Sequence, residues 1–120
     1  MAGEFVPLVL LPRYSTYAGA STFTTIGMEV SEYSSASVNV WRGKLLGTTP
    51  TFGVTFEESI DQLTWSTCTG TSAGVDPGEE TEALYTATLK KRWFRIKVVL
   101  GGTSPAATCW AIGFLEKREQ

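Results

Sequence analysis

Phe52-Gly-Val-Thr-Phe-Glu-Glu-Ser-Ile-Asp-Gln-Leu-Thr-Trp-Ser-Thr-Cys68 is the stretch that decides the fold class. Phe52, Val54 and Phe56 alternate with Gly53, Thr55 and Glu57, the period of two expected of a half-buried strand. Ser59-Ile60-Asp61-Gln62 then reads as a tight turn, in which Asp61 is placed to accept hydrogen bonds from neighbouring backbone amides. A second strand follows, with Leu63, Trp65 and Thr67 on one face. The same alternation turns Glu57 away from Val54 and Phe56 and predicts that it is solvated.

Outward from this hairpin, β signals continue to both ends. Phe5–Leu11 is an apolar run whose Pro7 argues for an edge strand or a strand start. Thr22–Val30 is a second run. Ala36, Val38 and Val40 share one face, opposite Ser37, Asn39 and Trp41, and Gly43 and Gly47 suggest a bend. Thr69–Glu80, rich in Gly, Ser and acids, is the longest loop candidate. Ala83–Leu89 reads as a strand that breaks at Lys90-Lys91.

A second hairpin is expected from Arg92 to Leu115, turning at Gly101-Gly-Thr-Ser-Pro105. Phe94, Ile96, Val98 and Leu100 point one way on its first arm, against Arg95 and Lys97. On its second arm Trp110, Ile112 and Phe114 are expected in the core. No window shows sustained helical periodicity, and one turn around Glu79–Leu84 is the only helical candidate.

About eight strands at intervals of roughly 8–12 residues predict an all-β fold, a single antiparallel β-sandwich. It is read as jelly-roll-like, because the Cys-Trp-Cys spacing of antibody domains is absent. Residues 1–120 are read as one domain, closed by the charged tail Glu116-Lys-Arg-Glu-Gln120.

Composition narrows the function. Net charge is −2, from ten Lys plus Arg against twelve Asp plus Glu. The longest basic run is Lys90-Lys91-Arg92, so no nucleic-acid footprint is expected. No segment approaches the ~20 apolar residues of a membrane span. The N-terminus lacks the basic region of a signal peptide, which predicts synthesis in the cytoplasm without export.

There is no histidine. That removes the commonest general base and the commonest metal ligand together. Cys68 and Cys109 match no zinc signature. They are expected as buried free thiols, with a cross-sheet bond left open. Glu57, Glu58 and Asp61 cluster at the first hairpin, where a pair of acids could serve glycoside hydrolysis, but Asp61 is read as a turn residue and Glu57 as solvated. Asp76–Glu82 lacks the spacing of an EF-hand. No cofactor, metal or catalytic residue is expected.

The aromatics carry more weight. Trp93 shares its side with Arg95, and Trp41, next to Arg42, lies opposite the Val38/Val40 face. Both pairs are candidates for a subunit interface, where aromatics and arginines concentrate. At the N-terminus Phe5, Val6, Leu8, Leu10, Tyr14 and Tyr17 lie in Met1–Tyr17. That segment is read either as an extended arm strapping a neighbour or as the first strand of its own sheet.

Glu58-Ser-Ile-Asp-Gln-Leu-Thr-Trp65 resembles the strand–Ser-x-Asp-Gly-x-x-Trp–strand hairpin of galactose-binding-like sandwiches and of small virion proteins of tailed bacteriophages. Gln62 stands where Gly is common. Arg92-Trp-Phe-Arg-Ile-Lys-Val-Val-Leu-Gly-Gly-Thr-Ser-Pro105 is similar to the same phage proteins. The resemblance implies a non-enzymatic virion structural protein: a capsid decoration protein, a head spike, or a neck or tail component. It implies a homo-oligomer, a trimer first, whose partners are itself and the major capsid or other virion proteins. Its place is then the virion, after synthesis in the host cytoplasm. The rival reading is a carbohydrate-binding module using Trp41 or Trp93.

Overall fold

β8 (Trp93–Lys117), 25 residues long, is the strand on which the rest is assembled in the computed structural model. The structure describes residues 4–118, apart from the side chain of Tyr14. Along one side of β8 run β1 (Phe5–Ala18), β2 (Ser21–Thr24) and β3 (Met28–Glu29), all antiparallel to it. Along the other side run β5 (Leu46–Ser59), on its first half, and β4 (Tyr33–Arg42), on its second. β7 (Thr81–Thr88) pairs with the far side of β4, and β6 (Ser66–Thr67) with β5. The result is an antiparallel sheet of eight strands curled on itself around one core.

The expected hairpin at Gly101–Pro105 does not form. β8 stays extended there because it is paired on both sides: Thr51 opposes Gly101, Thr48 opposes Thr103, and the Gly19 amide donates to the Pro105 carbonyl at 2.8 Å. Register shifts in β5 and left-handed backbone at Gly102 (φ 108°) and Ser104 (φ 49°) bend the strand instead. At Gly102 an added Cβ would lie 2.8 Å from the Thr49 carbonyl, so only glycine allows this approach.

The bend also exchanges the inward and outward faces, since one irregular step moves every later side chain to the other side. Phe94, Ile96, Val98 and Leu100 are buried before it, and Ala107, Cys109, Ala111 and Leu115 after it. This corrects the expected core: Trp110 and Ile112 are only half-buried, and Phe114 is exposed. The small residues went inside, and the large aromatics face out.

Glu79–Leu84 holds no helical turn. Thr81–Thr88 pairs with β4 residue for residue, with Ala83, Tyr85 and Ala87 opposite Val40, Val38 and Ala36 on the core side. Pairing and burial override the weak local helical signal. The N-terminal segment runs from Phe5 as the first strand of its own sheet.

The Ser59–Gln62 turn forms, held by side chains. Ser59 Oγ accepts from the amides of Asp61 (3.1 Å) and Gln62 (2.8 Å). Asp61 Oδ1 accepts from those of Leu63 (2.8 Å) and Thr64 (3.0 Å). These bonds favour the ionised carboxyl and lower its pKa. They also hold Gln62 in the left-handed region, at φ 64°. The second strand is shorter than expected: Leu63 lies outside it and is exposed.

Candidate functional site

The two outer faces of the curled sheet differ in chemistry. Over the first half of β8 the outer face is charged. Arg95 Nε donates to Glu57 Oε1 at 2.9 Å, Lys97 Nζ lies 3.6 Å from Glu57 Oε2, and the Arg95 guanidinium sits 4.0 Å above the Trp65 ring. Glu57 is therefore not solvated as expected. It is buried, at 7% exposure, because β6 and the cations of β8 close over it.

The other charged groups singled out in the sequence also have structural partners. Glu58 Oε1 accepts from the amides of Lys90 (2.9 Å) and Lys91 (3.2 Å), tying the β7–β8 connection to β5. Arg42, an interface candidate, is instead buried. Its Nε and Nη2 grip Asp76 at 2.7 and 3.1 Å, and its Nη1 donates to the Gly43 carbonyl. The bidentate pair raises the Arg42 pKa and lowers that of Asp76. Among the described residues no group of three or more Cys, Asp or Glu is placed to hold a metal ion. Cys68 and Cys109 are free and buried.

Over the second half of β8 the outer face is apolar. Pairing sets its residues in rows across β1, β8, β4 and β7. One row runs Arg13, Trp110, Trp41, Glu82. The next runs Val9, Ile112, Asn39, Leu84, and a third Pro7, Phe114, Ser37, Thr86. Phe5 closes the patch by meeting Phe114 edge-on, at 5.1 Å between centroids. Val9 is 64% exposed, Leu84 59% and Phe5 57%, so among the described residues no further layer covers this side. Phe5, Pro7, Gly113 and Phe114 line a shallow groove of about 300 Å³.

Local sequence explains the basic end of the first row. β1 shifts register between Leu11, opposite Ala111, and Ser15, opposite Cys109. Pro12, Arg13 and Tyr14 thus share the space facing Trp110, a bulge that re-aims a side chain. The Arg13 guanidinium lands 4.4 Å above the Trp110 ring, a cation–π contact.

The structure scatters most of the interface candidates. Phe5 and Trp41 lie on the apolar face. Leu8 belongs to the core, and Val6, Leu10 and Tyr17 pack against it. Trp93 and Arg95 are on the charged outer face, where Arg92 lies 5.4 Å over the Trp93 ring. The side chain of Tyr14 lies outside the described residues. Pro7, Val9, Leu84, Trp110, Ile112 and Phe114 were missed as surface residues. The available signal was the shared alternation of Trp110, Ile112 and Phe114, assigned to the wrong side.

No family model matches the chain, and no curated protein matches it in sequence. In structure it is similar to a chain of infectious bursal disease virus, Gt strain, with a TM-score of 0.61 at 11% identity. The likeness is one of fold. The match covers 95% of this chain and 32% of the viral one, so this chain spans about a third of the length of its structural neighbour.

An antiparallel sheet with one face on the core normally presents polar side chains on the other. Here that holds for the first half of β8 and fails for the second. The second half thus carries an exposed apolar face, rimmed by Arg13 and Glu82.

Proposed function

We propose that this chain is a non-enzymatic structural protein of a virion, and within that class a capsid decoration protein of a tailed bacteriophage that acts as a homo-oligomer. The observation that carries this reading is the apolar outer face on β1, β8, β4 and β7, which contains two tryptophans and calls for another protein surface to cover it. The likeness in fold to a chain of a virus supports the same class. So does the use of Glu57, Glu58 and Asp61, the carboxylates best placed for chemistry, as structural acceptors.

A protein of this kind binds by area. Apolar contact contributes about 25 cal/mol per Å² removed from water. Symmetric repetition over a particle multiplies weak single contacts through effective concentration. Ile60 and Leu63, on the turn held by Ser59 and Asp61, and Ile26 are further exposed apolar side chains open to contact with the particle.

The test is co-sedimentation of the purified chain with phage heads, together with mass spectrometry of purified particles. Saturable binding and a fixed copy number per particle are expected. A chain absent from particles that leaves heads unbound at any concentration overturns the reading.

A further inference from the structure

We propose that the partner covering the apolar face is a second copy of this chain, related by a two-fold axis that lies between the two faces and runs along the strands. This rests on the reading above that a protein surface covers the face, and names that surface.

The rows carry the argument. Across the sheet, Arg13, Trp110, Trp41 and Glu82 place a cation at one margin, an anion at the other and two indoles between. A two-fold axis along the strands reverses the row. Arg13 then meets the second copy's Glu82 on both sides of the pair, and Trp110 meets Trp41. In the next row Val9 meets Leu84, the two most exposed aliphatic side chains of the face. An axis across the strands stacks β1 on β1 and β7 on β7 and leaves both charges without an opposite. The face is thus complementary to its own reversal, which is the requirement of an isologous contact.

Area agrees. With roughly 150–250 Å² for each aromatic side chain, Phe5, Phe114 and the half-buried Trp41 and Trp110, together with the exposed Pro7, Val9 and Leu84 and the half-buried Ile112, leave on the order of 600 Å² per copy. Two copies then reach about 1,200 Å², the lower bound for specific stable interfaces. Sheets packed face to face lie about 10 Å apart with strands near-aligned, which this axis allows. A two-fold pair takes precedence over the trimer implied by the phage resemblance.

The experiment is sedimentation equilibrium of the full chain, with Arg13→Glu, Glu82→Arg and the double variant, each checked for folding by circular dichroism. The wild type is expected to be a dimer at micromolar concentration. Each single reversal sets like charges together and weakens it about tenfold or more, whereas the double reversal restores it. Within one chain β8 and β4 separate Arg13 from Glu82, so restoration reports contact between chains. Should a reversal unfold the protein, Arg13→Gln, Glu82→Gln and their combination replace it. There the double loss must be smaller than the two single losses combined. A wild-type monomer or trimer, single variants that dimerise normally, or additive losses overturn the proposal. A monomer that still binds phage heads removes the dimer and keeps the virion role. A dimer that ignores heads does the reverse.

Discussion

Trp41 on β4 and Trp110 on β8 face each other across the strand pair, with ring centroids 6.4 Å apart and planes 11° from parallel, on the side of the sheet turned away from the core. Two stacked indoles over a row of buried small residues make the outer surface, and not the interior, the most aromatic part of this half of the sheet.

That stacking has a measurable coupling. Urea unfolding of Trp41→Ala, Trp110→Ala and the double variant, followed by circular dichroism, is expected to give an interaction energy of about 0.5–1.5 kcal/mol. A coupling of zero would mean that the rings merely lie side by side.

The thiols are expected to be inert in the native protein. Burial first, then the nearby carboxylates of Glu58 and Glu57, push Cys68 up to about 12 from 9.0. Burial pushes Cys109 up to about 11. Because both folded values exceed the unfolded one, their stabilisation is complete below pH 9.0 and is lost as pH rises toward those folded values. A chromogenic disulfide reagent at neutral pH should find no reactive thiol until denaturant is added, and then two. Stability should fall above pH 9.0, less steeply in Cys68→Ala. Rapid native labelling would contradict this.

At the acid end Asp76 gives the opposite slope. The Arg42 guanidinium holds its pKa below the ordinary 3.8, so this stabilisation is present above that value and is lost as pH falls below it. Asp76→Ala leaves a largely buried Arg42 without its carboxylate partner and with only the Gly43 carbonyl as acceptor. The cost is expected at about 1–2 kcal/mol, reduced by the partial exposure of Asp76. The variant should also show a shallower loss of stability below pH 4, measured by thermal melts across pH.

Gln62 sits at φ 64°, a conformation costing a non-glycine residue about 1–2 kcal/mol, while glycine loses roughly 0.5–1 kcal/mol more backbone entropy on folding. The hydrogen bond from Trp65 Nε1 goes to the Gln62 carbonyl and survives any side-chain change. Gln62→Gly is therefore expected to stabilise by about 0.5 kcal/mol, read as a higher urea midpoint. A lower midpoint would show that the glutamine side chain, which packs against Gly27, supplies more than the strain costs.

Gly113 lies between Val38 of β4 and Leu8 of β1, and an added Cβ would collide with the Ser37 carbonyl. Backbone must move to admit it. Gly113→Ala should cost about 3 kcal/mol or more, beyond ordinary overpacking, and open the groove beside Phe5 and Phe114. An unchanged melting temperature would refute the close approach of β8 and β4.

Strand content was legible wherever burial follows local alternation. Ala36, Val38 and Val40, then Phe52, Val54 and Phe56, and then Phe94 to Leu100 are inside as their period of two requires. Asp61 holds the turn as its side-chain chemistry implies. The apolar outer face was legible only in fragments, through Phe5 and Trp41. Arg42 and Leu8 misled because a charged or apolar side chain in sequence carries no mark of what lies above it.

By itself, then, the sequence determined an all-β chain, its strand segments and its main turns, because hydrogen-bonding turns and period-two burial act over a few residues. Tertiary structure alone decided what Gly101–Pro105 does. The same glycines and proline serve a hairpin or a bend, and pairing with β5 together with the Gly19 contact, from segments far away in the chain, kept β8 extended there. That one bend reversed the faces that follow it, sending Cys109 and Ala111 inward and Trp110 and Phe114 outward. The apolar surface exists because distant strands, and not neighbouring residues, set which side of β8 meets the core.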